Sequence, residues 1–203
     1  VEMSLSLRQA ASYARVAARW GVRGFVGPMV PGIARLFPLW FRQDDAALHA
    51  AEPDTLAEVA AAAAFAEGLD GAGGDVAALD GAGGLLRPML APHAADTHTP
   101  ATLRALGEAA RELGTGIQIH LSQSARETAV VRRLWGRSPA AWLAELGLLD
   151  GPCLGAHMVG LDWTHDAAIL RQHGVVYAHC PSGGGAGGPA QPYPEALGAG
   201  VAA

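Results

Sequence analysis

Short apolar runs alternate along the chain with longer segments in which apolar side chains recur every three or four residues. Each run has the length of a buried strand, and the periodic segments are typical of amphipathic helices. Glycine or proline follows several of the runs, as expected where a strand ends. The pattern predicts five strands, over residues 22–26, 87–91, 117–121, 153–157 and 175–178.

The periodic segments predict helices before, between and after these strands. The first helix ends at a glycine, and the later ones begin near serine, threonine or proline residues that favour a helix start. The predicted helices cover residues 5–20, 53–67, 100–113, 124–135, 138–146, 164–172 and 192–199.

Three stretches interrupt the pattern and are predicted to be loops. Residues 29–52 form a long connection whose aromatic side chains either cap an aromatic substrate or make a small cluster of their own. Residues 71–84 are glycine-rich and predict a surface insert, and residues 183–188 predict a mobile lip that either closes on substrate or is simply a surface loop. The aromatic side chains of the first stretch are Phe37, Trp40 and Phe41.

Strands separated by helices pair in parallel, so the sheet is either doubly wound or closed into a barrel. The strand ends favour the barrel, because a histidine stands at or just after the carboxyl end of four successive strands. In a (β/α)8 TIM barrel those ends form the active face. We therefore predict an α/β barrel fold whose candidate site residues are His93, His120, His157 and His179.

Composition narrows the function classes further. The chain has 14 Lys+Arg against 19 Asp+Glu, a net charge of −5, and its basic residues are dispersed, which argues against a nucleic-acid partner. No apolar run is long enough to span a membrane, and no signal peptide is visible at the start. Cys153 and Cys180 do not form a C-x-x-C pair, so we expect a reducing, cytoplasmic location.

Imidazole is the commonest protein ligand of zinc-like metals, and a catalytic metal takes about three protein ligands with one position open to water. Histidines at neighbouring strand ends converge on the mouth of a barrel and can share one ion. The other four histidines lie in predicted loops or on helix faces, and we expect them to be solvated. These are His49, His98, His165 and His173.

Three motifs surround the strand-end histidines. They read IHLSQSARE from residue 119, WLAELGLLDGPCLGAHMVGLD from residue 142 and VVYAHCPSG from residue 175. In this order, with 37 residues from His120 to His157 and 22 from His157 to His179, they resemble the amidohydrolase superfamily. The resemblance is to its branch of cytosine, guanine and S-adenosylhomocysteine deaminases and triazine chlorohydrolases.

The resemblance implies a role for each matched position. His120 is the metal ligand, and the metal is a divalent ion, with zinc the first choice and iron the alternative. His157 is the catalytic residue that polarises or deprotonates the attacking water and in some members also binds the metal. His93 contacts a small heterocyclic substrate. His179 matches a position after strand seven that we count with the substrate-binding residues, although its role is mainly structural.

One position departs from the family pattern. The glutamate of H-x-x-E is replaced by Gln123, counted here as a catalytic and substrate-binding residue. An amide donates and accepts hydrogen bonds but does not titrate, so Gln123 orients substrate and cannot shuttle a proton. Three readings stay open: His157 and an aspartate carry the proton, the leaving group is a halide, or the barrel is an inactive binding protein.

The family also has an H-x-H pair after strand one and an aspartate after strand eight, and this sequence contains neither at the matching place. We therefore expect residues 1–203 to be a partial barrel domain, about strands three to seven, cut at both ends and by itself inactive. A homodimer is the expectation for the full-length protein.

Overall fold

The computed structural model describes residues 2–35, 44–69, 85–181 and 190–203. The loop predictions for residues 71–84 and 183–188, and for the aromatic group Phe37, Trp40 and Phe41, lie outside the described residues.

Six strands form one sheet, and every neighbouring pair is parallel. The order of strands in the sheet is their order in the chain. No reversal of order occurs among the described strands, as a doubly wound sheet would require, so the arrangement is that of a partial (β/α) barrel. The strands are β1 (Glu2–Leu5), β2 (Gly24–Val30), β3 (Leu86–Pro92), β4 (Gly116–Leu121), β5 (Cys153–His157) and β6 (Val176–Ala178).

Helices connect the strands along the chain. Several begin at a side-chain cap, as at Ser124, whose hydroxyl accepts the backbone N–H of Glu127 at 3.2 Å. Short 3-10 turns follow two strands, at Gly32–Arg35 and Ala95–Thr97. The helices are α1 (Leu7–Arg19), α2 (Asp45–Leu69), α3 (Pro100–Glu112), α4 (Ala125–Trp135), α5 (Pro139–Glu145), α6 (Trp163–Gln172) and α7 (Tyr193–Gly198).

Three predicted elements need correction. The strand predicted over residues 22–26 runs from Gly24 to Val30, so it continues four residues further than the pattern indicated. The count of five strands was wrong, because Glu2–Leu5 pairs with β2 as an additional strand and Ser6 caps a helix that begins only at Leu7. Helix α2 begins at Asp45 rather than at residue 53, so Pro53 lies inside it. Its first turns pack Leu48 and Ala51 into buried positions, and this burial outweighs the hydrogen bond that proline cannot make.

The two faces of the sheet carry different side chains. Ile117, Ile119 and Leu121 of β4 point to the helices, where they join the main apolar core. The other face of the sheet has small residues, such as Ala91 of β3 and Ala156 of β5, which form a separate buried cluster. Small side chains on this face leave space above the sheet for the side chains that stand at the strand ends.

The last residues of the chain continue the sheet. Ala202 bridges in parallel to Val176, and its carbonyl accepts the Tyr177 N–H at 2.7 Å. The pairing of β6 on its second side therefore begins within this sequence. None of the helices in the part of the chain that the structure describes has the length and apolarity to cross a bilayer.

Candidate active site

Three of the four strand-end histidines lie in one row. The ring centroids of His93 and His120 are 4.9 Å apart, with the planes tilted by 55°. The rings of His120 and His157 are stacked, with centroids 5.4 Å apart and planes within 9° of parallel. The row crosses the carboxyl ends of β3, β4 and β5, which is the face where barrel enzymes carry their chemistry.

Strand alternation explains two of these positions. Side chains on a strand point to opposite faces in turn, so His93 shares the inner face with Ala91, and His120 lies opposite Ile119 and Leu121. The same rule would send His157 to the helix side, because Cys153 lies in the helix-side core.

The backbone turns His157 to the inner face instead. His157 has φ of +76° and Met158 has φ of +55°, both in the left-handed region that non-glycine residues rarely adopt. The side chain of His157 therefore does not follow the strand alternation, and its imidazole ring stacks on that of His120. Such strain persists only where surrounding contacts hold it, as in the hydrogen bond from the Met158 N–H to the Leu121 carbonyl at 3.0 Å.

Hydrogen bonds set the tautomers of two imidazoles. The Nδ1 of His120 lies 2.7 Å from the backbone carbonyl of His93, and a carbonyl only accepts, so Nδ1 carries the proton and Nε2 carries the lone pair. The hydroxyl of Thr97 donates to the Ala94 carbonyl at 3.0 Å and therefore accepts from Nδ1 of His93 at 3.2 Å. Both rings thus carry their lone pair on Nε2.

Burial keeps two imidazoles of the row, those of His93 and His157, uncharged. Desolvation, followed by repulsion from His120 and His98, lowers the pKa of His93 to about 3. Desolvation also lowers the pKa of His157, and the side-chain amide of Gln191 partly opposes this. At neutral pH both imidazoles are neutral, so each can accept a proton or a hydrogen bond.

The other two predicted site residues, Gln123 and His179, do not belong to this stacked row. Gln123 is half-buried in the loop after β4, three residues beyond His120. His179 is exposed, and its ring contacts are with Tyr177, whose hydroxyl lies 3.2 Å from Nδ1, and with Tyr193 at a centroid distance of 5.0 Å. Tyr177 belongs to the helix-side core, so alternation places His179 on that side of the sheet as well.

Two of the four histidines that were predicted to be solvated are not, His98 and His173. His98 is only 1% exposed, and its Nε2 lies 3.1 Å from the carbonyl of Val30 at the end of β2. His173 is also mostly covered, at 19% exposure, with Nδ1 3.2 Å from the Leu149 carbonyl. The prediction is confirmed for His49 and His165, at 56% and 79% exposure.

Two buried carboxyl groups behind the row were missed by the sequence reasoning. Asp96 is 3% exposed and Glu127 1%. Burial and the neighbouring Asp96 raise the pKa of Glu127 well above its ordinary value, and backbone N–H donors oppose the rise. A glutamate in the first turn of a helix is common, so only the tertiary contacts distinguish this one.

The donors present suit zinc in kind. Nε2 of His120 carries a lone pair, and its Nδ1–H is fixed by a carbonyl, which is the usual arrangement of a zinc-ligating histidine. The number of these donors is smaller than the three protein ligands of a usual catalytic zinc site. Within the described ranges, no group of three or more His, Cys, Asp or Glu side chains is placed to hold a metal ion. His120 therefore fits as one ligand of a set completed elsewhere.

A cavity of about 640 Å³ lies away from this row. It opens where the strands begin, and residues from β3, β4 and β5 line it, among them Arg87, Gly116 and Cys153. That end of a barrel generally contributes to stability. The chemistry-bearing side chains are at the opposite end.

Comparison with known proteins agrees with these features. A sequence model of the amidohydrolase family matches residues 10–189. The 5-methylthioadenosine/S-adenosylhomocysteine deaminase of Moorella thermoacetica is 45% identical over 102 residues, which are 50% of this chain and 24% of that protein. The chain thus spans about a quarter of the length of this relative.

Solved structures show the same fold. The guanine deaminase of C. acetobutylicum, solved with guanine in its active site, aligns with a TM-score of 0.71 at 14% identity, over 98% of this chain and 43% of that one. The atrazine chlorohydrolase of Arthrobacter aurescens, complexed with zinc, aligns with a TM-score of 0.57 at 21% identity, over 70% and 30%. The α/β barrel predicted from the strand pattern is confirmed as the fold, and the chain represents part of it.

Proposed function

This chain belongs to the amidohydrolase family, and on that premise we propose that it is part of a metal-dependent hydrolase that cleaves a C–N bond in a small heterocycle. The full-length enzyme, in this proposal, extends beyond residues 1–203, since the matched region is about a quarter of the Moorella relative. The stacked row of His93, His120 and His157, with the His120 tautomer fixed for a ligand, is the observation that carries the proposal.

His120 holds the metal through Nε2 in this proposal. Zinc is the first choice, because it favours imidazole and is bound in the chlorohydrolase structure, and iron is the alternative. A divalent ion bound there supplies Lewis acidity, which lowers the pKa of a coordinated water towards about 7. The remaining ligands lie outside the described residues.

The residues of this chain then act on substrate and protons. His157 is neutral at pH 7 because burial lowers its pKa, so it accepts the proton of the attacking water. Nε2 of His93 accepts a hydrogen bond from an N–H of the substrate. Gln123 holds the heterocycle by its amide without taking a proton. His179, packed beside Tyr177 and Tyr193 on the helix side of the sheet, has a structural role.

Two leaving groups are compatible with Gln123. An amino group is favoured by the deaminase relatives, and a halide is favoured by the missing acid at this position together with the chlorohydrolase fold neighbour. A third candidate is a catalytically inactive barrel that binds a heterocycle. A cytoplasmic location and a homodimer of the full-length protein remain predictions.

The test uses the full-length protein with a panel of aminated purines, pyrimidines and chlorinated triazines, and measures ammonia and chloride release beside zinc content. We expect about one zinc per chain and release of ammonia, both lost in His120→Ala and both kept in the exposed control His165→Ala. Chloride release without ammonia selects the dehalogenase. A metal-free protein that binds heterocycles without turnover selects the inactive barrel.

A further inference from the structure

Glu127 connects loops that follow two different strands. Its carboxylate accepts the backbone N–H of Ser122 at 3.1 Å and of Gln123 at 2.7 Å, both in the loop after β4. The backbone N–H of Ala95, in the loop after β3, also lies near this carboxylate and lowers its pKa. With these backbone N–H groups around it, a side chain only 1% exposed has both carboxyl oxygens hydrogen-bonded.

An ordinary helix cap does not explain these contacts. In a capping box the glutamate at this position reaches back to the N–H of the N-cap residue. Ser124 is the N-cap here, and its hydroxyl does accept the Glu127 N–H at 3.2 Å. The Glu127 side chain, however, extends past Ser124 to the two residues before it and across to another strand's loop. A second buried carboxyl group, that of Asp96, lies beside it. Burying two neighbouring carboxyl groups costs free energy, and a helix cap does not require it.

The same turn of α4 also binds the loop after β5. The N–H of Gly160 donates to the Ser122 carbonyl at 2.7 Å. The hydroxyl of Thr128, next to Glu127, donates to the Gly160 carbonyl at 2.8 Å. The three tied loops each follow directly on one histidine of the row, so their relative positions set the spacing of the imidazoles.

We propose that Glu127 is a positioning residue which, by tying the loops after β3 and β4, holds His93 and His120 in register and aims Gln123 at the substrate. Ser122 has φ of +46°, and the bond from its N–H to Glu127 is one of the contacts that hold this left-handed residue in place. The role for metal and substrate rests on the function proposed above, whereas the tying of the loops does not.

The first test is made on the metal-free full-length protein by hydrogen exchange. Glu127→Gln keeps the shape but turns one acceptor into a donor that faces backbone N–H groups. We expect the amides of Ala95, Ser122 and Gln123 to exchange about tenfold faster or more, as for a lost hydrogen bond to a charged group. Glu112→Gln, an exposed exchange of the same kind on α3, should change none of them. Unchanged exchange at all three amides in Glu127→Gln overturns the proposal.

The second test separates positioning from stability. For the folded fraction of Glu127→Gln we expect about 10–100-fold weaker zinc affinity, measured by chelator competition, and a similar loss in kcat/KM. A residue that only stabilised the fold would lower Tm and leave both values intact, which would overturn the proposal. Should Glu127→Gln fail to fold, Glu127→Asp decides: its shorter carboxylate predicts an intermediate loss, and wild-type exchange and affinity would refute it.

The two proposals fail differently. A wild-type protein without zinc or turnover refutes the hydrolase, and the exchange result then still decides whether Glu127 ties the loops. A zinc-dependent hydrolase whose Glu127→Gln variant is folded and unchanged refutes the positioning role alone.

Discussion

The Nδ1–H of His120 and its own backbone N–H both donate to the same carbonyl oxygen, that of His93, at 2.7 Å and 3.1 Å. One acceptor at the end of β3 therefore fixes both the backbone and the ring of the histidine at the end of β4. The ring cannot turn without losing a buried hydrogen bond, so Nε2 is directed to a single place.

The tautomers follow directly from this contact. We expect His120 and His93 of the metal-free protein at pH 7.5 to carry the proton on Nδ1, in contrast to the Nε2–H form that free imidazoles favour. Long-range nitrogen–proton correlation spectra of histidine-labelled protein distinguish the two forms. Free histidine at the same pH serves as the reference for the Nε2–H form. An Nε2–H form at His120 would contradict the ligand role.

The stability of the metal-free protein should depend on pH through His93. Its pKa is about 3 in the folded state and near 6.5 in the unfolded chain. Because the folded value is the lower one, this contribution is complete above pH 6.5 and declines as the pH falls towards 3. We expect a loss of about 1–2 kcal/mol from this group between pH 7.5 and 5.

Urea unfolding at the two pH values measures this loss. His93→Gln should be less sensitive to pH than the wild type by that amount, whereas His165→Gln, at 79% exposure, should behave as the wild type does. Equal pH sensitivity in wild type and His93→Gln would show that His93 is charged or solvated in the folded protein.

Gln123→Glu tests whether a missing proton shuttle limits deamination. A carboxyl group at this position can take a proton from water and pass it on, which is worth about 10²-fold or more in rate. We expect faster ammonia release from aminated heterocycles, with Gln123→Ala slower than the wild type. No gain over the whole substrate panel would favour the halide or the inactive barrel.

Gly160→Ala tests the packing that holds the loop after β5. A Cβ at residue 160 would meet the carbonyl of Ser124 well inside van der Waals contact. We expect a loss of about 1–3 kcal/mol in unfolding free energy, together with weaker zinc binding because His157 shifts. Gly68→Ala, on helix α2 with open space around its Cβ, should be neutral or stabilising by up to about 1 kcal/mol. Equal stabilities would show that the loop yields easily.

Most of the fold was predictable because its signals are local. The apolar run of β4 and the serine caps of α4 and α5 lie in adjacent residues, so burial and capping are visible in the sequence. Glu2–Leu5 was missed since four residues carry too little periodicity to separate a strand from a helix start. The helix start predicted at Pro53 was wrong for a different reason. Proline favours the first turn of a helix, but the burial of the residues before it outweighs this local preference.

The sequence by itself determined which residues bring imidazoles to the strand ends, and strand alternation in principle also placed His179 on the side of Tyr177. The tertiary structure decided the rest. His157 joins His120 only because the backbone enters the left-handed region there, and Glu127 acquires its contacts only because loops that follow different strands meet beside it. Alternation and capping depend on near neighbours, whereas these placements depend on packing between distant strands, which no local pattern records.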